Sequence, residues 1–204
     1  WSFLWRKIIP PLLTAGFRVI APDLIGLGLS TKPSNVSAYT LEMQVDTLVN
    51  LIEGLKLENI AIVGHDWGGP IAAATAARTR RGIRAAAFMN TALAIPEQFT
   101  PTKFHHFAHK PIVSDIAFRW FNYPVTHMYK VQYDPASIDA VAQRAYAYPF
   151  PSWGYRAAPL ALARLVPDGV NTKHEAVLDE AKQWAAAFEG PTALVWGTKD
   201  PIVG

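Results

Sequence analysis

The chain has 204 residues, half of them hydrophobic and 17% of them charged, with a net charge of +3 at pH 7. This composition is typical of a globular domain with a sizeable core, and the small positive charge does not indicate nucleic-acid binding. No cysteine occurs, which excludes disulfides, thiol nucleophiles and thiolate metal sites and fits a reducing compartment such as the cytoplasm. No apolar run reaches the roughly 18 residues of a membrane span, so we expect no membrane partner.

The first 95 residues alternate between predicted helices and strands. Residues 3–15 favour a helix, and Thr40 is expected to cap a long amphipathic helix that begins at Leu41. The next segments favour a strand at 58–64, a helix at 68–79 and a strand at 83–90, after an earlier buried strand at 16–23. This spacing predicts a parallel sheet covered by helices on both faces. The arginines of "ARTRRGIRA" suit a solvated helix end.

The middle of the chain has a different amino-acid composition. Residues 96–170 contain six of the seven tyrosines and no strand-like apolar run, so we expect a helical lobe inserted between two sheet strands. A further helix is predicted to end at Gly190, followed by a buried strand within 191–200 that ends at Asp200. The predicted organisation is a first core part (1–95), a helical cap (96–172) and a second core part (173–204).

The segment "AIVGHDWGGP" places Asp66 where a predicted strand turns directly into a helix. Gly64 and Gly68 lie two residues to either side, and Gly69 is expected to let the helix pack close to the strand. This is the pattern of a nucleophile elbow, in which the nucleophile has a strained backbone and its neighbours must be small. The helix N-terminus favours an ionised carboxylate. The alternative is that Asp66 merely caps the helix.

A carboxylate at this position favours attack on a saturated carbon that carries a leaving group. The product is an alkyl ester on the protein, which water hydrolyses with the help of a general base and an oxyanion hole. Trp67 fits two tasks, because its backbone N–H lies where an oxyanion donor is expected and its indole N–H can point at a departing halide. The alternative for Trp67 is a core aromatic.

Several segments carry a family resemblance: "GHDWGG", "APDLIGLGLS", "FMNTAL", "YAYPFPSWGYRAAPLALARLVP" and "FEGPTALVWGTKDPIVG". Together they make the chain resemble the haloalkane dehalogenases of the α/β-hydrolase superfamily, whose nearest relatives with a different reaction are epoxide hydrolases. The resemblance implies a mostly parallel, doubly wound sheet with an inserted helical cap, incomplete in this chain. It implies a small hydrophobic halogenated substrate and no cofactor, and we expect a monomer.

The resemblance also implies roles for individual residues. Asp66 would be the nucleophile, Trp67 a halide-stabilising residue and Asp200 the acid that orients a catalytic histidine. Some members place that acid after an earlier strand, where this chain has Asn90, which cannot do the same work. Phe150 and Pro151 would line the pocket from the cap. Asp200 as a simple turn residue and Phe150 as simple cap core are the alternatives.

Two features depart from the family pattern. Members carry a His-Gly-x-Pro loop ahead of the segment that matches Trp1 and a catalytic histidine after Asp200, whereas none of the six histidines here follows Asp200. We therefore expect this chain to be part of a longer protein, and the chain alone to form at most a stable ester. The histidines of "FHHFAH" lack accompanying carboxylates, and adjacent histidines do not share a helix face, so we predict no metal site.

The second halide donor is the other open position. In the family it is either an asparagine in the loop ahead of the segment that matches Trp1 or a cap tryptophan. Tyr133 lies near that tryptophan position, Trp120 and Trp153 are nearby candidates, and spacing does not decide among them. Epoxide hydrolases use a cap tyrosine to protonate the opening ring, so epoxide hydrolysis stays an alternative to dehalogenation. Decarboxylation of a lactone on the same scaffold and non-catalytic binding of a hydrophobic ligand are the remaining alternatives.

Overall fold

The computed structural model describes residues 1–94, 100–131, 134–166 and 174–200. The chain divides into two compact units. The helical unit comprises residues 1–39 and 105–164, and the sheet unit comprises residues 40–104 and 165–204. The predicted core and cap boundaries assign the first 39 residues differently, and those boundaries stay a prediction.

The described residues contain three strands, at Ile60–His65 (β1), Ile83–Met89 (β2) and Thr192–Val195 (β3). The α-helices in the same ranges are Ile9–Thr14 (α1), Leu41–Gly54 (α2), Gly68–Arg78 (α3), Lys103–Ala108 (α4), Val113–Asp115 (α5), Tyr123–His127 (α6), Ala140–Ala147 (α7), Ala157–Arg164 (α8) and Glu175–Ala187 (α9). A π-helical segment, Ile116–Trp120, follows α5, and 3₁₀ turns cover Ser2–Lys7, Val36–Ala38, Met128–Val131, Pro135–Ser137 and Trp153–Arg156. None of the described helices has the length and hydropathy needed to cross a bilayer.

The sheet unit contains a parallel sheet in the order β1-β2-β3. Gly64 of β1 lies beside Phe88 of β2, which lies beside Leu194 of β3. Parallel pairing brings the carboxyl ends of all three strands to one edge. The helix before β1 starts as predicted, since the Thr40 hydroxyl accepts a hydrogen bond from the Met43 N–H at 3.1 Å. The predicted strands near 58–64, 83–90 and 191–200 are therefore confirmed, as are the helices beside them.

The two faces of this sheet differ in burial. On one face Ile62, Ala86 and Phe88 are buried, and the start of α3 approaches Gly64 closely on that face. The other face of β1 is open, with Val63 40% exposed, and all four residues of β3 are exposed. The prediction of a buried last strand is therefore wrong, and of the predicted helical cover the described residues show the part on one face of the sheet. Alternating burial is the pattern of a sheet packed on one side.

The predicted strand at 16–23 does not form. Residues 17–24 have no regular secondary structure, and Phe17 is 53% exposed. An apolar run becomes a strand when a neighbouring strand satisfies its N–H and C=O groups, and no strand in the described ranges pairs with this one. The segment is anchored instead by the Asp23 carboxylate, which accepts hydrogen bonds from the Ser2 and Leu29 backbone N–H groups, both at 2.7 Å.

The helical unit is held together by arginines that bind backbone and side-chain oxygens. Arg156 donates to the carbonyls of Arg119 and Trp120 at 3.0 and 2.8 Å. Arg164, at the end of α8, donates to the Ser114 hydroxyl at 2.7 Å and to the Asp115 carboxylate at 2.6 Å. Within 100–131 and 134–166 every regular element is helical, in agreement with the predicted helical insertion between two strands. The predicted helix at 3–15 is divided, because Pro10 and Pro11 start a new helix.

The basic cluster after α3 is paired within the sheet unit. Arg78 bridges Glu42 and Asp46 of α2, at 2.6 and 2.9 Å, and Glu180 of α9, at 2.7 Å. The Arg78 guanidinium lowers the pKa of Glu42 by hydrogen bonding to the carboxylate. This part of the cluster is therefore a junction of three helices instead of a solvated helix end.

Replacing Arg78 with Ala is expected to lower the free energy of unfolding by about 1–2 kcal/mol, since three exposed pairs of roughly 0.2–1 kcal/mol each are lost. Urea denaturation at pH 7 measures this loss, with Arg80→Ala, an exposed neighbour, as the control expected within about 0.5 kcal/mol. A carboxylate whose folded pKa is lowered stabilises the fold above its unfolded pKa and loses this effect as the pH falls through the folded value. The difference between the two proteins should therefore shrink below about pH 4. Equal losses from both variants would contradict the junction.

Candidate active site

Three polar residues follow the three strands at the carboxyl edge of the sheet. Asp66 comes directly after β1, Asn90 directly after β2, and Asp200 five residues after β3. In open parallel sheets, ligands bind in the crevice outside the carboxyl ends of the strands. The sheet order therefore assembles a candidate site in which Asp200 joins two residues that precede it by more than a hundred positions in sequence.

Asp66 occupies the strained elbow that the sequence predicts. Its φ of +51° lies in the left-handed region, which a non-glycine residue adopts at a cost of about 1–3 kcal/mol. Three hydrogen bonds hold it there. The Asp66 N–H donates to the Asn90 carbonyl at 3.2 Å, and the Asp66 carbonyl accepts from the Gly69 N–H at 3.0 Å and from the Thr91 hydroxyl at 2.5 Å.

The structure does not support the capping alternative for Asp66. Trp67 occupies the N-cap position of α3, with helical dihedral angles of −56° and −23°, and no side-chain oxygen caps this helix. The Trp67 backbone N–H thus lies at the helix N-terminus beside Asp66, where the sequence predicts an oxyanion donor. The use of this N–H, and of the indole, in a reaction stays a prediction.

The glycines around the elbow differ in whether their surroundings leave room for a side chain. A Cβ at Gly64 would lie 2.6 Å from the Gly68 carbonyl oxygen and 2.7 Å from the Gly69 Cα, so this position must lack a side chain. A Cβ at Gly69 would overlap the Thr91 side chain, which confirms that Gly69 permits close packing of helix and strand. Gly68 has no atom within 4 Å of a Cβ. The prediction that Gly68 must be small is wrong, because the first turn of α3 points this position toward open space.

The environment of the elbow raises the pKa of the Asp66 carboxyl. The largest cause is desolvation by the surrounding protein, and the negative charge of Asp200 acts in the same direction. The positive charge of His65 and the Trp67 backbone N–H oppose the shift. Asp66 as a residue is nevertheless exposed to solvent, so it is accessible to a small molecule.

Asp200 is joined to the end of β2 through Asn90. The Asn90 amide donates through Nδ2 to Asp200 Oδ2 at 2.9 Å, and its Oδ1 accepts from the Gly197 N–H at 2.8 Å. Asp200 also belongs to a turn, since its N–H donates to the Gly197 carbonyl at 3.0 Å. Sequence reasoning considered Asn90 only as a replacement acid and missed this contact. The one sequence feature that indicates the contact between Asn90 and Asp200 is the position of Asn90 directly after β2, the strand that lies beside both β1 and β3.

Comparison with known proteins agrees with this arrangement. Residues 1–121 match the family model of the α/β-hydrolase fold. The chain belongs to this family. It is 34% identical over 210 residues to haloalkane dehalogenase 1 of Mycobacterium tuberculosis, an alignment that spans all of this chain and 66% of the relative.

Two other proteins are also similar to this chain. A cis-3-alkyl-4-alkyloxetan-2-one decarboxylase of Shewanella oneidensis is 31% identical over 206 residues, which cover 98% of this chain and 64% of the relative. The tetrameric haloalkane dehalogenase DpaA of Paraglaciecola agarilytica superposes with a TM-score of 0.79 at 27% identity, covering 100% of this chain and 66% of that chain. The chain thus spans just under two thirds of the length of the curated relatives that it matches.

The cap candidates of this α/β-hydrolase chain lie in the helical unit. Phe150 is buried, at 4% exposure, whereas Pro151 is exposed. The Arg119 guanidinium covers the Trp153 ring at 3.3 Å from its centroid. Trp120 is 67% exposed, and Tyr133 lies outside the described residues. The burial of Phe150 fits the cap-core alternative as well as a pocket wall, so the roles of these residues stay predictions.

The histidines form no metal site in the parts of the chain that the structure describes, where no group of three or more His, Cys, Asp or Glu residues converges. His109 instead links two helices of the helical unit. Its ring nitrogens lie 2.9 Å from the His105 carbonyl and 3.1 Å from the Arg164 carbonyl. His65, which precedes Asp66, is partly exposed.

The contrast between Gly69 and Gly68 gives a matched test of the elbow. Gly69→Ala is expected to lower the free energy of unfolding by about 1–3 kcal/mol, because the new methyl group overpacks against Thr91. Gly68→Ala adds the same methyl group in open space and is expected to stay within about 0.5 kcal/mol of the parent. Urea denaturation of both variants compares them. Equal stability of the two variants would contradict the described packing.

Proposed function

We propose that the protein cleaves the carbon–halogen bond of small hydrophobic haloalkanes through an ester on Asp66. The observation that supports this most is the position of a carboxylate, in place of a hydroxyl, on a strained elbow with φ of +51° at the carboxyl edge of the sheet. The similarity to a dehalogenase over the whole chain supports the same reaction.

In the first step, an Asp66 carboxylate oxygen attacks the halogen-bearing carbon. The carbon–halogen bond breaks, the halide leaves with the bonding electrons, and a carbon–oxygen ester bond forms. Trp67 stabilises the departing halide through its indole N–H. The strained backbone of Asp66 holds the carboxylate above the sheet edge before substrate arrives. The entropic cost of orienting the carboxylate for attack is therefore small.

In the second step, water attacks the carbonyl carbon of the ester, which releases the alcohol and restores Asp66. The Trp67 backbone N–H, at the N-terminus of α3, stabilises the negative charge that develops on the carbonyl oxygen. A general base takes the proton from water, and Asp200 orients that base. The family resemblance assigns the base to a histidine that follows Asp200 in chain order.

The inserted helical segment, proposed as a cap over residues 96–172 between core parts 1–95 and 173–204, supplies the pocket wall in this proposal. Phe150 and Pro151 line it, and Trp120, Tyr133 and Trp153 are the cap candidates for the second halide donor, beside an asparagine of the family's N-terminal loop. The exposed indole of Trp120 supports its candidacy. Trp153 is held under the Arg119 guanidinium, which supports an anchoring role at that position.

The proposal includes a monomer and a cytoplasmic location, and the lack of cysteine fits the reducing conditions of that compartment. One similar structure is described as tetrameric, so the size of the particle distinguishes the two states. Size-exclusion chromatography with light scattering at several protein concentrations gives the mass directly.

A second candidate reaction is decarboxylation of a four-membered lactone. The similarity to an oxetanone decarboxylase over 98% of this chain favours it as an alternative. Epoxide hydrolysis on the same elbow and passive binding of a hydrophobic ligand are further alternatives. Bromoalkanes, a dialkyl oxetanone and styrene oxide separate these reactions, because their products are halide, carbon dioxide and a diol, and passive binding yields none of them.

The Asp66→Asn variant, made in the protein expressed from its complete reading frame, is expected to lose halide release and ester formation. The amide is isosteric but is not an ionised nucleophile. Halide release is measured with bromoalkanes, and intact mass detects the ester. Asp179→Asn, an exposed change on α9, is the matched control and should retain both signals. Alkyl attachment to the Asp66→Asn protein at the parent rate would contradict the proposed nucleophile.

The raised pKa of Asp66 predicts a pH dependence of the first step. The attacking form is the carboxylate, so the single-turnover rate of ester formation should rise with pH and level off above the pKa. The midpoint is expected above the value of about 3.9 for a solvated aspartate. Rapid acid quench and mass spectrometry from pH 4 to 8 measure the rate, with circular dichroism at each pH as the folding control. A rate that is constant down to pH 4 would contradict the raised pKa.

A further inference from the structure

Asn90 contacts both acidic residues of the candidate site, Asp66 through its backbone and Asp200 through its side chain. Its backbone carbonyl accepts from the Asp66 N–H at 3.2 Å, and its backbone N–H donates to the Val195 carbonyl at 3.3 Å. Its side chain reaches the Asp200 carboxylate at 2.9 Å and both backbone groups of Gly197, at 2.8 Å to the N–H and 3.3 Å to the carbonyl. The end of β2 thus connects the loops that follow β1 and β3.

These partners fix the orientation of the Asn90 amide. A carboxylate accepts hydrogen bonds and the Gly197 N–H donates one, so Nδ2 must face Asp200 and Oδ1 must face Gly197. The amide group offers a donor and an acceptor side by side, which an aspartate at this position does not. Asn90 also has a φ of +35°, a region in which asparagine is several-fold enriched among non-glycine residues. Backbone and side chain therefore favour the same residue type.

We propose that Asn90 is a positioning residue that fixes the Asp200 carboxylate relative to the Asp66 elbow. Its amide holds one carboxylate oxygen, Oδ2, and thereby sets the direction in which Asp200 presents itself to the general base. This inference rests on the proposed ester mechanism. Its consequence falls on the second step, because the contact from Asn90 to Asp66 is made by the backbone and survives removal of the side chain.

The Asn90→Gly variant tests this division in the protein expressed from its complete reading frame. Glycine accepts the positive φ and removes the amide. We expect one equivalent of halide to be released from a bromoalkane at a rate close to that of the parent. Ester hydrolysis should slow by about 10- to 100-fold, the effect of losing a hydrogen bond to a charged group, so the ester accumulates and intact mass detects it.

Asn59→Gly is the matched control. Asn59 has a φ of +54° and precedes β1, at the opposite edge of the same sheet, so this change relaxes a similar backbone position without touching the site. It should leave both steps unchanged. If Asn90→Gly hydrolyses the ester as fast as the parent, the positioning role is overturned. A parent protein that releases no halide overturns the proposed function itself, which separates the two failures.

A second variant keeps the test valid if circular dichroism shows that Asn90→Gly does not fold. Asn90→Ala keeps a Cβ at this position and removes the amide, so no side-chain donor reaches Asp200. Ester hydrolysis should again be slower than in the parent, while the halide burst is retained. Ester hydrolysis by folded Asn90→Ala at the parent rate would overturn the proposal.

Discussion

The hydrogen bonds between the end of β2 and the Asp66 elbow are the constraint on which the site depends. Asp66 has a φ of +51°, and a non-glycine residue keeps this conformation only when the surrounding structure enforces it. Here the enforcement comes from the Asn90 carbonyl, the Thr91 hydroxyl and the Gly69 N–H, which bind the Asp66 backbone from two directions. Because these partners belong to the segment directly after β2 and to α3, the conformation of the elbow depends on the packing of that helix against the sheet.

The same packing affects the electrostatics of Asp66. Gly64 and Gly69 let the start of α3 approach the strand, and this places the Trp67 N–H beside the carboxyl. Desolvation by the surrounding protein raises the pKa of Asp66, and the Trp67 N–H opposes that shift. The helix N-terminus therefore favours the charged carboxylate, whereas the surrounding protein disfavours it. The result is a carboxylate that is oriented by the backbone yet less solvated than one on a free surface.

Local sequence patterns predicted the parts of this arrangement that local physics controls. The elbow at Asp66, the cap at Thr40 and the three parallel strands follow from spacing, small residues and capping chemistry within a few positions. The buried strand at 16–23 and the burial of β3 were wrong because strand pairing and burial depend on distant segments. Gly68 was misjudged because the direction of one helical turn decides whether a glycine is crowded. Asn90 was missed because its partners Gly197 and Asp200 lie 107 and 110 positions away in the sequence.

The dipeptide Asn90–Thr91 shows how a sheet can couple two functional groups without a direct contact between them. Thr91 and the Asn90 carbonyl act on the backbone of Asp66, whereas the Asn90 amide acts on Asp200. A central strand of a parallel sheet is the natural place for such a residue, because its carboxyl end neighbours the ends of both flanking strands. The residue directly after β2 must therefore have a backbone conformation that suits one neighbouring loop and a side chain that suits the other. In this chain that residue is an asparagine, whose amide and tolerance of positive φ satisfy both constraints.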